Sequence, residues 1–264
     1  WIVGTTDTDY QADPNSPMAT REDVTYIINQ ANRVLEPKLD RSQVIGVFAG
    51  LRPLVSTDPD SPTTELSREH VVDHPVPGFV TIAGGKYTTY RVMAEDAVDS
   101  AVVDLKRIVP DSCTETLPVI GAEGYEVLRN KANEFATRMG MKVESINHLI
   151  DRYGSLFEEV LEISTGDRSL LNPIIPGLPY LKAEIIYSAT HEGALSVSDV
   201  LSRRTRISFE DREQGLLVAD EVATLIGNEL GWSEIEREQS LSQYRAQIQL
   251  QNDQLASLVT EKVS

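Results

Sequence analysis

The sequence predicts an α+β protein in two parts: a mixed sheet with helices over residues 1–121, then an all-helical domain over residues 122–264. Three observations carry this reading. Ten of the 13 prolines fall in the first 121 residues, interleaved with short β-branched runs. From residue 122 onward apolar residues recur at helical spacing almost without interruption. Between the two regimes stands Gly121-Ala122-Glu123-Gly124, a turn-forming stretch that suits a boundary.

Each element has a local reason. Trp1 to Thr5 reads as a strand. Thr20-Arg-Glu-Asp23 has the spacing of a capping box, with Asp in the place of Glu, and Val24, Ile27, Ile28, Ala31 and Leu35 follow at helical spacing up to Pro37. Val44 to Leu51 reads as a second strand. Leu66–Asp73 and Phe79–Ala83 flank Pro75-Val-Pro-Gly78 and predict a hairpin. After Gly84-Gly85, Met93, Ala97, Ala101 and Leu105 share one helix face. In the second part, Leu128, Ala132, Phe135 and Met139 form one stripe, and Ile146, Leu149, Ile150 and Tyr153 another. Leu181–Ala189, Val197–Leu201 and Leu216–Ile226 predict further helices. Ser233-Glu-Ile-Glu236 is a capping box for a last helix, whose Leu241, Tyr244, Ile248, Leu255 and Leu258 keep a heptad-like spacing interrupted by Gln251.

Composition narrows function. The 264 residues carry a net charge of −17, which disfavours a broad nucleic-acid face, because phosphate binding needs concentrated positive charge. An anionic substrate would have to be held by a few placed arginines. With one cysteine, Cys113, no disulfide can close within the chain, a usage that fits a reducing cytoplasm. No apolar run reaches the roughly 18 residues of a membrane span. The four histidines and the cysteine show no metal-ligand spacing, so no metal is expected. The dinucleotide fingerprint G-x-G-x-x-G is absent, and the chain opens on Trp1 rather than Met, so it is expected to be a fragment or a processed product.

The most informative segment is Ile82-Ala-Gly-Gly-Lys-Tyr-Thr-Thr-Tyr-Arg91. A strand runs into two glycines, and a helix starts at Thr88 or Thr89. Glycines permit close approach to the backbone, a helix start offers N–H groups and a positive dipole end, and Lys86 adds a full charge. This suits a planar ligand edge that acquires negative charge, such as the N1–C2=O edge of a reduced flavin. A plain strand-to-helix turn with Lys86 in solvent is the competing reading. Arg52, in Ala49-Gly-Leu-Arg-Pro-Leu54, and Arg68, in Ser67-Arg-Glu-His70, are candidates to grip a phosphate or carboxylate, against the alternative of surface ion pairs. Arg203, Arg204 and Arg206 form a third basic cluster. They serve either local carbonyls and acidic neighbours such as Glu210 and Asp211, or the docking of the helical part beside an anionic substrate.

Four words stand in order: Gly4-Thr-Thr-Asp-Thr-Asp-Tyr10, Ala49-Gly-Leu-Arg-Pro-Leu54, Ser67-Arg-Glu-His70 and Gly84-Gly-Lys-Tyr-Thr-Thr-Tyr-Arg91. Together with Asp199-Val-Leu-Ser-Arg-Arg-Thr-Arg206 they resemble the FAD-dependent, quinone-linked glycerol-3-phosphate dehydrogenases over nearly the whole chain. That resemblance implies an amino-acid-oxidase-like FAD and substrate domain ending near residue 121 and a helical C-terminal domain after it. It implies oxidation of sn-glycerol 3-phosphate to dihydroxyacetone phosphate, with FAD as hydride acceptor and a quinone as final acceptor, in glycerol metabolism at the cytoplasmic face of a membrane. Carried over by motif, Arg52 is catalytic and binds substrate, and Arg68 holds phosphate. Gly84, Gly85, Lys86, Thr88 and Thr89 line the flavin edge. The family's dinucleotide loop and catalytic histidine have no counterpart here, and His70 and His74 do not match that histidine. The chain is therefore expected to need the N-terminal FAD-binding portion as a partner and to be inactive alone, with homodimerisation left open. Two other readings stay open: a helical assembly or docking module, and another amino-acid-oxidase-like flavin oxidase in which an arginine grips a carboxylate.

Overall fold

The computed structural model describes residues 1–15, 17–55, 69–105 and 108–259. Contacts divide the chain into two compact units, Trp1–Pro37 with Phe48–Pro118, and Lys38–Val47 with Val119–Ser264.

In the first unit, helix α1 spans Arg21–Ala31. The expected capping box is present: Asp23 N–H donates to Thr20 Oγ1 at 3.2 Å, and Thr20 N–H donates back to Asp23 Oδ2 at 2.9 Å. Two orphan donors of the first turn are thereby satisfied. Strands β1 (His70–Val76) and β2 (Phe79–Gly84) pair antiparallel, with His70 opposite Gly84 and Val72 opposite Ile82. Gly78, with φ 78°, makes the turn between them. Helix α2 (Tyr90–Val102) packs on this hairpin.

Two expected strands do not form. Neither Trp1–Thr5 nor Val44–Leu51 has ladder partners, so among the described residues the sheet is a single two-stranded hairpin, not a mixed sheet. A β-rich stretch becomes a strand only when another backbone is there to pair with it. Leu66–Arg68, expected to begin the hairpin, lie outside the described residues.

The second unit is helical: α3 (Tyr125–Asn130), α4 (Ala132–Met139), α5 (Val143–Tyr153), α6 (Phe157–Glu162), α7 (Lys182–Thr190), a π-helical turn (Asp199–Arg204), α8 (Ile207–Glu210), α9 (Ala219–Leu230) and α10 (Glu234–Val259). One core cluster joins Ile146, Leu149 and Ile150 of α5 to Phe157 and Val160 of α6 and to Leu181, with Phe135 edge-on to Phe157 at 5.0 Å between centroids. The other joins Val197, Leu201 and Ile207 to Val222 and Ile226 of α9 and to Leu241, Tyr244 and Ile248 of α10. Full burial of each such side chain stabilises the unit by about 1.5–3 kcal/mol. Helix α7 feeds both clusters, Ala183 and Tyr187 into the first, Ile185 and Ala189 into the second. A helix placed between two cores is apolar around most of its circumference.

Candidate functional site

Strand β2 passes into α2 through the Gly-Gly-Lys turn. Gly84 and Gly85 both adopt left-handed backbone, with φ of 79° and 74°. A Cβ on Gly84 would stand 2.6 Å from the Glu69 carbonyl oxygen and 2.8 Å from Val55 Cγ2. One on Gly85 would stand 2.5 Å from Met93 Sδ and 3.2 Å from His70 Cβ. Both glycines are thus required by backbone conformation and by tight packing. Lys86 returns to extended backbone and precedes a one-turn 3₁₀ helix, Tyr87–Thr89, that runs directly into α2. The Thr89 hydroxyl donates to the Lys86 carbonyl at 3.0 Å and lies 3.3 Å from the Lys86 nitrogen. Lys86 and Thr88 are exposed. An ammonium beside a helix start is the donor set that a carbonyl-bearing or anionic ring edge requires.

One other word reaches this turn directly, and the first two words are joined to each other. Glu69 and His70, which end the Ser67-Arg-Glu-His70 word, pack against Gly84 and Gly85. Val55 packs on Gly84 and lies three residues beyond Arg52, so the two Cα atoms are at most about 11 Å apart. Arg52 itself ends no strand; it is exposed, and its Nε lies 3.4 Å from Asp7 Oδ1 of the first word. Thr6 and Thr8, either side of Asp7, hydrogen-bond Asp23 at the start of α1. Burial raises the Asp23 carboxyl, but bonds from Thr20, Thr6 and Thr8 outweigh it and hold the group below the usual carboxylate value. Arg68 falls outside the described residues.

Sequence reasoning missed what lies behind the turn. His70 Nε2 is 2.6 Å from Asp96 Oδ2, and His74 Nε2 pairs with the Ser100 hydroxyl. The signal was there in retrospect: His70 and His74 share one face of a strand, and Asp96 and Ser100 are one helical turn apart.

It also missed a buried charge network in the second unit. The Glu184 side chain is fully buried, yet it accepts from Leu181 N–H at 2.6 Å, from His148 Nε2 at 2.9 Å and from the Tyr153 hydroxyl at 3.1 Å. Arg152 Nε lies 3.6 Å away. Burial and the Glu184 charge push the Tyr153 phenol far up, so it stays a donor. Nearby, one Glu192 carboxylate oxygen is buried without a hydrogen-bond partner, and burial raises that carboxyl against the pull of Arg152 and Arg204. The arginine cluster has local work: Arg203 pairs with Asp199 at 3.0 Å, and Arg204 Nε donates to the Glu192 carbonyl at 2.9 Å. The Arg206 N–H lies 3.3 Å from the Tyr180 hydroxyl.

Comparison with known proteins gives this architecture a class. Residues 112–237, which include most of the helical unit, match the family described as the C-terminal domain of alpha-glycerophosphate oxidase. Glycerol-3-phosphate dehydrogenase 2 of Mycobacterium tuberculosis is 45% identical over 249 residues, 94% of this chain and 42% of the relative. The mitochondrial glycerol-3-phosphate dehydrogenase of Mus musculus is 35% identical over 91% of this chain and 33% of its own length. Among solved structures, the glycerol-3-phosphate dehydrogenase of Bacillus halodurans, complexed with FAD, superposes with a TM-score of 0.76 at 26% identity, covering 99% of this chain and 50% of that one. The chain is thus similar to glycerol-3-phosphate dehydrogenases over nearly all of its own length, and it spans less than half the length of the curated relatives named here.

Proposed function

We propose that the chain is the C-terminal portion of an FAD-dependent glycerol-3-phosphate dehydrogenase, with a quinone as final electron acceptor. Residues 1–121 supply part of the FAD and substrate domain, and residues 122–264 the helical domain. The observation that supports this most directly is the packing of Glu69 and His70, from the Ser67–His70 word, against the two glycines of the Gly84-Gly85-Lys86 turn. FAD, when bound, supplies the two-electron acceptor for the hydrogen on C2 of the substrate alcohol. Lys86 and the start of the Tyr87–Thr89 helical turn would place positive charge beside that acceptor as it gains electrons. Arg52 offers a planar fork to the substrate's oxygens, and Arg68 a second cation for its phosphate. The exposed Arg52–Asp7 pair is worth about 0–1 kcal/mol, whereas a charge-assisted bond to phosphate is worth about 1.5–3 kcal/mol, so trading one for the other favours binding.

The N-terminal FAD-binding portion of the same protein is the proposed partner of the first unit. In support, that unit leaves Phe79 and Tyr87 exposed, and the curated relatives are about twice as long as this chain or more. We infer that the enzyme works in the cytoplasm, peripheral at the inner face of the cytoplasmic membrane. No helix among the described residues is long and apolar enough to cross a membrane.

The test is reconstitution. The chain joined to such an N-terminal portion should hold FAD and reduce a quinone analogue with glycerol 3-phosphate, and the chain alone should do neither. Arg52→Lys should lower kcat/KM at least tenfold at full FAD content, because an ammonium cannot reproduce the fork. Wild-type kinetics in that variant would remove Arg52 from the site.

A further inference from the structure

We propose that His70 and Asp96 form a lock that holds the Gly84-Gly85-Lys86 turn in its binding conformation, with His70 as a positioning residue. This inference rests on the flavin reading above. His70 stands opposite Gly84 in the hairpin register, so its backbone and the turn share one end of the sheet. Its Cα and Cβ pack where side chains on Gly84 and Gly85 would stand. From there the imidazole crosses to α2, and Nε2–H donates to Asp96 Oδ2 at 2.6 Å. The bond ties the strand beneath the turn to the helix that follows the turn. The His70 side chain is only 18% exposed, so its ring has little room to leave. His74 and Ser100 repeat the tie one turn further along α2. Met93, between them and the turn, fills the space under Gly85.

Two glycines in left-handed conformation are soft by themselves, since glycine carries more backbone freedom than any other residue. The Lys86 ammonium is therefore only as well placed as the contacts beneath it. With the bond intact, strand, turn and helix are one closed ring of contacts. Without it, the helix side of the turn keeps the Lys86–Thr89 bonds, the Met93 packing and the more distant His74–Ser100 tie, but loses the bond nearest Gly84.

The experiment ranks substitutions by hydrogen-bonding rather than by volume. His70→Gln keeps an N–H near the Nε2 position, whereas His70→Phe fills the space without a donor. Asp96→Asn keeps an acceptor, and Asp96→Ala does not. Two readouts are used. In the 264-residue chain, amide hydrogen exchange at Lys86 and Thr89, whose N–H groups bond across the turn, should accelerate roughly three- to tenfold in His70→Phe and Asp96→Ala and stay near wild type in His70→Gln and Asp96→Asn. In the full-length apoenzyme, the FAD dissociation constant from flavin fluorescence should follow the same order, with a rise of similar size. The double variant His70→Phe/Asp96→Ala should lose no more than either single one. Equal exchange and equal FAD affinity for His70→Phe and wild type would overturn the lock, as would a loss in His70→Gln as large as in His70→Phe. If exchange follows the order but wild-type full-length protein binds no FAD, the lock on the turn stands and the flavin reading falls.

Discussion

Lys86 is the exposed charge on which the proposed flavin site depends. It sits at the start of a helix, on a turn that packing holds on its inner side. In full-length protein Lys86→Met should lower the flavin reduction potential, because the positive charge favours the electron-rich form of the ring by about 1.5–3 kcal/mol. Redox titration against a reference dye reads this directly, and an unchanged potential at full FAD content would remove Lys86 from the ring edge. Glu192 carries the opposite lesson, a charge that works against its surroundings. Burial raises its carboxyl above the ordinary value of 4.5, with Arg152 and Arg204 only partly offsetting the effect. The folded state therefore holds that proton more tightly than the unfolded one. Its contribution to stability is fully present below about pH 4.5 and is lost as pH rises through the folded value. Glu192→Gln, which keeps the shape without the charge, should be more stable than wild type at pH 7. The difference should shrink toward pH 4.5, as urea midpoints at three pH values would show.

Among the elements, the π-helical turn Asp199–Arg204 has the least regular backbone in the second unit. Thr205 closes it twice onto one carbonyl: its N–H and its hydroxyl both donate to Val200 O at 2.8 Å. Arg204 then reaches back to the loop after α7, and Val200 and Leu201 are fully buried on the other side. The wider turn lets one short segment bury two aliphatic side chains while aiming an arginine at the neighbouring loop. Thr205→Val keeps the volume and removes the hydroxyl bond. It should cost about 1–2 kcal/mol, a fall in Tm of roughly 2–8 °C, measurable by calorimetry. A variant as stable as wild type would mean that the backbone bond alone holds the turn.

At the scale of the molecule the two units differ in kind. Val24 is the only buried hydrophobic residue among the described residues of the first unit, while every other buried one lies in the second. A unit that buries so little apolar area has little to set against its conformational entropy. The isolated chain should accordingly unfold in two steps, the helical unit last. Hydrogen exchange reads both: amides of Ile146–Ile150, Ile185–Ala189 and Val222–Ile226 should be strongly protected, and those of the hairpin weakly. Trp232 lies in the helical unit and Trp1 in the other, so fluorescence of Trp1→Phe isolates the second transition. One transition with uniform protection would contradict the division.

What the sequence determined by itself was whatever closes over a few residues. The capping boxes at Thr20 and Ser233 are spaced so that side chain and backbone satisfy each other three residues apart, and both formed. The α5 stripe Ile146, Leu149, Ile150, Tyr153 is buried because its spacing puts it on one helix face. The hairpin followed from two short β-rich runs and the turn residues between them. The motif words could put forward Arg52, Gly84, Gly85 and Lys86 as candidates because each word is contiguous. Tertiary structure alone decided the rest. Whether Trp1–Thr5 or Val44–Leu51 is a strand depends on a partner that local sequence does not specify. The pairing of His70 with Asp96, the burial of Glu184 among His148, Arg152 and Tyr153, and the π-turn's hold on Glu192 all join residues far apart in the chain. A helix closes its hydrogen bonds within four residues, so its signal is local. A buried charge or a strand edge is satisfied only by whatever the folded chain brings to it.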